Sequence, residues 1–421
     1  MMSNKSGQSA SSSALSIRRW GGLLLVTVAS LGVASLLTAC NQLTGTLTVD
    51  FVYVTSALAA GPSQYGQVDV FEINSESGRM RQIPTSPFPS GGRNPVAEAV
   101  ATDNSTLYVV NRDDNTIVQF TIGNDGKIYP QNTVNTPGVF PNAVAIAGKN
   151  LFVADTYQPL PICSPAAPCT GSVAAYPIQS DDSLDRAHPF ANTALNTDYW
   201  PLTLPGAATD VVAPMAIAAH GSNVYVAAYD TTANAGYVFG YTVAGSAPAQ
   251  TLVPLNNGVP VATGIHPSAI AIDHSGAYLY VTDLSGNDVY GYSIGGGGNL
   301  TALNGSPYAA GNQPAAIALD AGTKFAYVAN SQDSNLTGYT ISSGVLKPIA
   351  TFATDTQPVA VGIDPNLNQY LYAANFLGNT VSGFQIDSST GSLVNSQFSP
   401  SRANANPTAV AAIPHGSIAG K

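Results

Sequence analysis

A single carboxylate occupies a register that is otherwise aliphatic. Glu98 lies three residues after Pro95, and six other Pro-led segments have an aliphatic residue at the same place: Val144, Ile217, Ile270, Ile317, Val361 and Val410. A carboxyl group in an apolar environment has a raised pKa and can act as a general acid or base. Two alternatives stay open, because buried carboxylates are rare unless they are paired: Arg93 is its ionic partner, or Glu98 lines a water-filled channel.

Few other residues suggest catalysis. His266 can serve as a base, although a His before a Pro on a rim is often only solvated, and Arg93 and Arg112 supply positive charge. Asp155 and Asp283 can help to bind a cation, but nothing matches the dense Asp spacing of a calcium loop. Since the sequence also lacks a nucleophile elbow, a zinc motif, a phosphate loop and a dinucleotide fingerprint, it predicts neither a metal site nor a cofactor.

Polar side chains recur at two positions of each repeat, and both positions are predicted to surround a central channel. One precedes the Pro of each Pro-led strand: Asn94, Phe140, Ala213, His266, Gln313, Gln357 and Asn406. The other ends each Tyr-Val strand: Ser56, Asn111, Asp155, Ala228, Asp283, Asn330 and Asn375. These amides and carboxylates suit a polyhydroxylated ligand. The alternative is turn chemistry, since Asn and Asp open turns and a second Asn follows at Asn115, Asn287, Asn335 and Asn379.

These residues belong to a unit that recurs seven times. A Tyr-Val strand, with its aromatic at Tyr53, Tyr108, Phe152, Tyr225, Tyr280, Tyr327 and Tyr372, is followed by a strand with its aromatic at Phe71, Phe120, Tyr176, Tyr241, Tyr292, Tyr339 and Phe384. A Pro-led strand with Ala or Gly on one face fits the crowded innermost place, and a variable outer strand completes the unit. Repeats of strands and turns, roughly 45–55 residues long, predict a β-propeller with one four-stranded antiparallel blade per repeat.

The two ends of the chain are predicted to share the first blade. The seventh Pro-led strand, at Pro407 to Ile413, is C-terminal, whereas the first Tyr-Val strand, at Phe51 to Val54, is N-terminal. Pairing the two, with the C-terminal strand innermost, removes an exposed sheet edge. The sequence therefore predicts an all-β, seven-bladed propeller over residues 49–415, followed by a short tail at 416–421.

The third repeat is longer than the others. Its extra residues lie at 156–172 and from Asp181 to Ala213, and both connections are predicted to emerge on the rim that carries the polar rings. Long loops on a rigid scaffold often carry binding residues, so that Tyr199 and Trp200 become candidate ligand contacts. Cys163 and Cys169 are predicted to form a disulfide, because no neighbouring His or third Cys offers a metal set.

The net charge and the N-terminal segment indicate the cellular environment of the protein. Residues 1–39 contain three basic residues and no acidic one, so that the rest of the chain, with 11 basic and 24 acidic residues, has a formal net charge of −13. This excess opposes binding to nucleic acid. A basic, then apolar leader ending in Leu37-Thr38-Ala39-Cys40 resembles the lipobox of bacterial lipoproteins. The resemblance implies a signal peptide (1–39), lipidation of Cys40, a tether (40–48) and an exported, lipid-anchored protein, with the outer membrane as one destination. An uncleaved membrane anchor is the alternative.

The strand motifs resemble a known family. YVVN at Tyr108, YVAN at Tyr327 and PSAIAID at Pro267 are similar to the repeats of lactonase-like seven-bladed propellers, which include 6-phosphogluconolactonase-type and YVTN-repeat surface proteins. Arg112 looks like the family's Asn-Arg turn. The lactonase branch carries Pro-Arg-His before an inner strand and a Glu closing a Tyr-Val strand; here Pro267 is followed by Ser-Ala, and the strand ends are Asp, Asn or Ser.

Two functions follow from these observations. The first is a monomeric envelope lipoprotein whose propeller binds or scaffolds a glycan, a small polar ligand or an envelope protein at the channel mouth. The alternative, which the family resemblance implies, is a lactone hydrolase or cycloisomerase that uses Arg93, Glu98, Arg112 and His266. Whether the protein is an enzyme is left open by the sequence, because the shared motifs specify the fold better than an activity.

Overall fold

The described strands form a closed ring of seven antiparallel sheets. A computed structural model describes residues 49–57, 64–365 and 368–414, and each innermost strand contacts those of both neighbouring sheets. Pro407–Ile413 contacts both Pro358–Ile363 and Pro95–Val100, which closes the ring. The prediction of an all-β, seven-bladed propeller is thus confirmed. The predicted leader and tether (1–48) and the tail (416–421) lie outside the described residues.

Each blade is ordered outward from its Pro-led strand. The inner strands of blades 1 to 7 are Pro407–Ile413, Pro95–Val100, Val139–Ala147, Val212–His220, Pro267–Ile272, Pro314–Leu319 and Pro358–Ile363. The second strands are Val49–Ser56, Thr106–Asn111, Asn150–Tyr157, Asn223–Asp230, Tyr278–Asp283, Phe325–Asn330 and Tyr370–Asn375. In blade 1, Phe51 pairs with Ile413 and Val54 with Val410, so that the C-terminal strand is innermost, as expected.

The third strands are Gln67–Asn74, Thr116–Ile122, Ser172–Pro177, Ala235–Ser246, Asp288–Ile294, Asn335–Ser342 and Thr380–Ile386. The outer strand is continuous in blades 2, 3 and 6 (Ile128–Asn135, Tyr199–Pro201, Val345–Ala353) and has two pieces in the other blades: Met80–Gln82 with Phe88–Pro89, Ala249–Pro254 with Val261–Thr263, Leu300–Ala302 with Tyr308–Ala309, and Leu393–Asn395 with Ser401–Arg402. Two short 3-10 turns, Arg112–Asp114 and Asn256–Gly258, complete the described elements.

Among the described residues, the Tyr of the Tyr-Val strand donates a hydrogen bond to the following blade in five of the seven blades; the exceptions are Phe152 in blade 3 and Tyr372 in blade 7. Tyr53 donates to the carbonyl of Gly126 at 3.0 Å, Tyr280 to that of Gly344 at 2.7 Å and Tyr327 to that of Gly391 at 2.8 Å. These acceptors lie in the turn before the outer strand of the following blade. Gly344 must be glycine, because its φ is +81° and an added Cβ would lie 2.4 Å from the ring of Tyr278.

The two long connections of blade 3 leave opposite rims. Residues 158–171 join its second and third strands on the rim where the inner strands begin, which we call the mouth rim. Residues 178–198 lie between the third strand and Tyr199–Pro201, so that they leave from the far rim, and only 202–211 returns to the mouth rim. The prediction of one shared rim is therefore wrong for most of the second insertion. The Cys163–Cys169 disulfide in the first loop is confirmed.

Candidate functional site: the channel mouth

The residues before the inner-strand Pro are the ones that surround the mouth. Five of them have left-handed backbone, with φ between 53° and 60°, and all five are at least partly exposed: Asn94, Phe140, Gln313, Gln357 and Asn406. Asn tolerates this conformation, but a bulky residue such as Phe140 is strained there. The preceding blade holds the turn in place, since the side-chain oxygen of Asn115 accepts from the Phe140 amide at 2.7 Å and that of Asn287 from the Gln313 amide at 2.9 Å.

The second polar ring is buried and does not line the mouth. Asp283 accepts from the amides of Ile265 at 2.6 Å and His266 at 2.8 Å, and Asn330 accepts from that of Gly311 at 3.0 Å. Asp155 likewise accepts from the Gly138 amide, whereas Ser56 donates to Asp69 and Asn111 bonds to Ser90, so that the polar members are used within the protein. The members are at most 1 % exposed: Ser56, Asn111, Asp155, Ala228, Asp283, Asn330 and Asn375. The prediction that this ring faces a ligand is thus wrong in its placement, and turn chemistry accounts for these residues.

Asp155 differs from the rest of that ring. One of its carboxylate oxygens accepts from the amide of Gly138 at 3.1 Å, whereas the other is buried and makes no hydrogen bond to a described residue. Burial, more than the nearby charge of Asp198, raises its pKa to about 7 despite the hydrogen bonds that oppose this shift. Blade 3 therefore contains a buried carboxyl group that is only partly satisfied.

The structure brings Arg93, Asn94 and Arg112 together on the mouth rim of blade 2. Arg93 donates from Nε to Asp114 at 2.7 Å, and Asn94 donates to Asp113 at 3.2 Å. Burial raises the pKa of Asp114, but its hydrogen bonds with Arg93 and the charge of Arg93 outweigh this effect and hold the pKa below its usual value. Arg93 is thus the partner of Asp114, and the alternative that pairs it with Glu98 is wrong.

Arg112 extends over an aromatic pair from blade 3. Its guanidinium carbon lies 5.4 Å from the centroid of the Phe140 ring, and Phe140 packs edge-on against Tyr157 at 6.1 Å between centroids. Across the described part of the chain, no carboxylate lies within ion-pair distance of Arg112. This group, which we call the Arg112 cluster, presents a guanidinium and two aromatic rings to a ligand; Phe140 and Tyr157 had not been identified as candidates from the sequence.

His266 lies on another part of the rim. It belongs to blade 5, three blades from Arg112 and two from Phe140 and Tyr157, and its ring stacks on Tyr229 with 4.3 Å between centroids. Tyr229 in turn donates to Asn234 at 2.7 Å. The structure therefore does not bring His266 into contact with the other proposed catalytic groups.

Glu98 lies within the ring of inner strands and points toward blade 1. Part of the residue is exposed, but both carboxylate oxygens are buried and make no hydrogen bond within standard geometry to the residues described. Burial raises the pKa of Glu98 well above its usual value, although the nearby amide of Ala411 favours the charged form. This burial favours the protonated carboxyl group.

A third polar position, the residue after the inner-strand Pro, had not been identified from the sequence. The residue after the inner-strand Pro donates to the Pro carbonyl of the next blade from Asn142 to Pro214, from Ser268 to Pro314 and from Thr408 to Pro95. The occurrence of polar residues immediately after Pro, in strands that are otherwise apolar, could have indicated this position. These bonds join the inner strands of adjacent blades just inside the mouth.

Tyr199 and Trp200 do not lie at the mouth. They form the outer strand of blade 3, paired with Ala174 and Val173, and Trp200 is 5 % exposed within the packing between blades 3 and 4. Their predicted place on the mouth rim is thus wrong, because the outer edge of a blade is the part farthest from the axis.

The described residues contain no group of three or more His, Cys, Asp or Glu side chains arranged to hold a metal ion. Within the same ranges, no helix is long and apolar enough to cross a bilayer.

Fold and repeats define a seven-bladed propeller with lactonase-type strands, and comparison with known families agrees. The model of the family described as "Lactonase, 7-bladed beta-propeller" matches residues 51–159 and 298–411, more than half of the sequence. The chain belongs to this family. The unmatched residues between these stretches include the whole second insertion of blade 3 and the whole of blade 4.

Solved structures share the fold at low sequence identity. A putative 6-phosphogluconolactonase from Bacteroides fragilis is 18 % identical, with a TM-score of 0.65 over 88 % of this chain and 99 % of that one. A periplasmic gluconolactonase from Pseudomonas aeruginosa is 20 % identical, with a TM-score of 0.62 over 87 % of this chain and 99 % of that one. No curated protein matches the sequence.

Proposed function

We propose that this protein is an exported, lipid-anchored propeller that binds a carboxylate-bearing, polyhydroxylated ligand, such as a sugar acid or an acidic glycan, at the Arg112 cluster. The observation that carries the proposal is the guanidinium of Arg112, which lies over the Phe140 ring and has no carboxylate partner among the residues described.

The chemistry of the cluster fits such a ligand. Arginine binds carboxylates through two parallel hydrogen bonds, and aromatic faces provide rigid apolar area for the C–H faces of a sugar ring. The left-handed backbone of Phe140 supports the same conclusion, since strain in a bulky residue persists only where the surroundings enforce it, often at binding sites.

Calorimetry with D-glucuronate tests this proposal, with neutral D-glucose as the comparison ligand. Arg112→Gln should weaken glucuronate binding about tenfold or more, because hydrogen bonds to charged groups contribute about 1.5–3 kcal/mol. The matched control is Arg79→Gln on the far rim, where the guanidinium lies 4.8 Å from the Phe398 ring. Equal affinity of the two variants, or glucose binding as tightly as glucuronate, would exclude the Arg112 cluster as the site.

Export and lipidation are the second part of the proposal. The Cys163–Cys169 disulfide supports an oxidising compartment, and one similar structure is named a periplasmic protein. In a bacterial host, the full chain should incorporate labelled palmitate and sediment with membranes, whereas Cys40→Ser should do neither. Unchanged labelling of Cys40→Ser would rule out Cys40 as the lipidated residue.

Lactone hydrolysis is the second candidate function, and Glu98 is the observation that favours it. A buried carboxyl group with a raised pKa is a candidate acid or base, and the chain belongs to the lactonase family. Hydrolysis of D-glucono-1,5-lactone should then collapse in Glu98→Gln and persist in Glu76→Gln, which changes an exposed Glu. Absence of turnover above buffer would leave the binding function alone.

A further inference from the structure

A cavity of about 420 Å³ lies between the outer edges of blades 3 and 4, away from the channel mouth. The second insertion of blade 3 forms one wall with Leu195 and Trp200, and blade 4 forms the other with Tyr241, Leu252 and Val259. Among the residues that the structure describes, no Asp, Glu, Lys or Arg lines it. Its volume is within the range of small-molecule sites.

Tyr241 lacks the hydrogen bond to the preceding blade that its tyrosine counterparts make. In blades 3, 5 and 6 the third-strand Tyr donates its hydroxyl to the outer edge of the preceding blade: Tyr176 to Asn135 at 3.1 Å, Tyr292 to Ala262 at 3.1 Å and Tyr339 to Ala309 at 2.7 Å. Tyr241 in blade 4 is only 4 % exposed, yet its hydroxyl makes no hydrogen bond to any described residue.

The reason lies in the preceding blade. Ala262 pairs with Tyr237, and the corresponding pair in blade 3 is Pro201 with Ser172, so that the carbonyl of Pro201 is the expected acceptor for Tyr241. In the structure this carbonyl accepts from the amide of Thr203 at 3.0 Å instead. The sharp turn at the end of the insertion thus removes the acceptor.

A second donor in the same cavity is also unused. Trp200 is 5 % exposed, and its indole N–H makes no hydrogen bond within the described ranges. Neither donor atom is fully enclosed by the described residues, so that each is free to donate to a ligand that supplies an acceptor. Burial raises the pKa of Tyr241, so that its hydroxyl remains a donor at neutral pH.

We propose that this cavity binds an uncharged, largely apolar small molecule that carries an oxygen acceptor. The acceptor takes hydrogen bonds from the Tyr241 hydroxyl and the Trp200 indole N–H, while Leu252 and Val259 contact the apolar part. Charged ligands are disfavoured, because the walls contain no charged side chain to replace their hydration. This site is separate from the Arg112 cluster and does not depend on the function proposed for it.

The neutral aromatic ketone prodan is a suitable probe, since its emission shifts to shorter wavelength in an apolar environment. The full chain with Trp20→Phe has Trp200 as its sole tryptophan, so that bound prodan should also quench tryptophan emission. In that background, Tyr241→Phe should weaken binding about 2- to 12-fold, the effect of losing one hydrogen bond. Tyr292→Phe is the matched control, because its hydroxyl is already used by Ala262, and it should leave prodan affinity unchanged.

Leu195→Glu gives a second test that does not disturb the core, since Leu195 is 55 % exposed on the wall of the cavity. It should weaken prodan binding while the thermal midpoint stays that of the parent. The proposal fails if prodan does not bind, or if Tyr241→Phe and Leu195→Glu bind it as tightly as the parent.

Discussion

Blades 5 and 6 use their repeated aromatic residues for contacts between blades, whereas blades 3 and 4 do so only in part. In the first pair, Tyr280 and Tyr327 bond forward to the next blade, and Tyr292 and Tyr339 bond back to the preceding one. In the second pair, Phe152 has no hydroxyl to donate and Tyr241 has no acceptor.

The difference shows which parts of the sequence maintain the ring and which are available for function. The family model does not match residues 160–297, which include Tyr241, whereas Phe152 lies within the matched residues 51–159. The Phe140–Tyr157 pair, the Tyr229–His266 stack and the outer cavity all lie on blades 3 to 5. Most of the repeated tyrosines are already bonded within the protein, although the Tyr372 hydroxyl is buried without a partner among the described residues. Departures from the repeat therefore mark candidate positions for ligand binding.

The largest expected effect on stability comes from a glycine of blade 6, one of the two blades in which both repeated aromatic residues are hydrogen-bonded tyrosines. Gly344→Ala should lower the free energy of unfolding by about 3 kcal/mol or more, because the new Cβ would meet the Tyr278 ring and the backbone has φ of +81°. Gly221→Ala in blade 4 is the control, because its φ is +58° but nothing lies within 4 Å of the added Cβ. A loss of about 1 kcal/mol in the free energy of unfolding is expected there. Urea unfolding measures both; equal losses would show that the contact with Tyr278 is unimportant.

A smaller difference in stability is expected between the variants Tyr280→Phe and Tyr241→Phe. Tyr280→Phe should cost about 1–3 kcal/mol, because it leaves the buried carbonyl of Gly344 without its donor. Tyr241→Phe should leave the stability of the free protein unchanged or slightly raised, since that hydroxyl has no partner to lose among the described residues. Thermal and urea unfolding of the two variants compare them directly. A similar loss in both would mean that Tyr241 is bonded like its counterparts.

The smallest effect is a difference in pH dependence. The pKa of Asp155 is raised to about 7 in the folded protein, so that between about pH 4 and pH 7 the folded state binds more protons than the unfolded one. Its contribution to stability is therefore present below the unfolded pKa and is lost as the pH rises through the folded pKa, by at most about 1.4 kcal/mol per unit. Asp155→Asn should show a flatter decline of the unfolding free energy from pH 5 to 7. Parallel curves for the parent and the variant would contradict a raised pKa.

The sequence predicted the scaffold well, because its determinants are local and repeated. The Pro-led strands, the pairing of the first Tyr-Val strand with the C-terminal strand and the short Cys163–Cys169 loop follow from pattern and spacing. Side-chain direction at strand ends does not, so that Asp283 was expected at the mouth although it turns inward to the amides of residues 265 and 266.

Two further features depended on contacts that spacing does not show. The outer strand with Trp200 has only three residues, Tyr199–Pro201, and was not distinguishable from the surrounding insertion. The unpaired hydroxyl of Tyr241 results from one turn at Pro201 and Thr203 in the preceding blade. A position-by-position comparison of the seven repeats identifies such a residue only after the partner of each counterpart is known.

The most direct test of the account is a crystal structure of the protein grown with D-glucuronate. We expect the carboxylate within hydrogen-bonding distance of the Arg112 guanidinium, with the sugar ring against Phe140 or Tyr157. A sugar bound inside the channel beside Glu98, with Arg112 still lying over Phe140 and making no contact to it, would contradict the proposed binding site and favour the lactonase alternative.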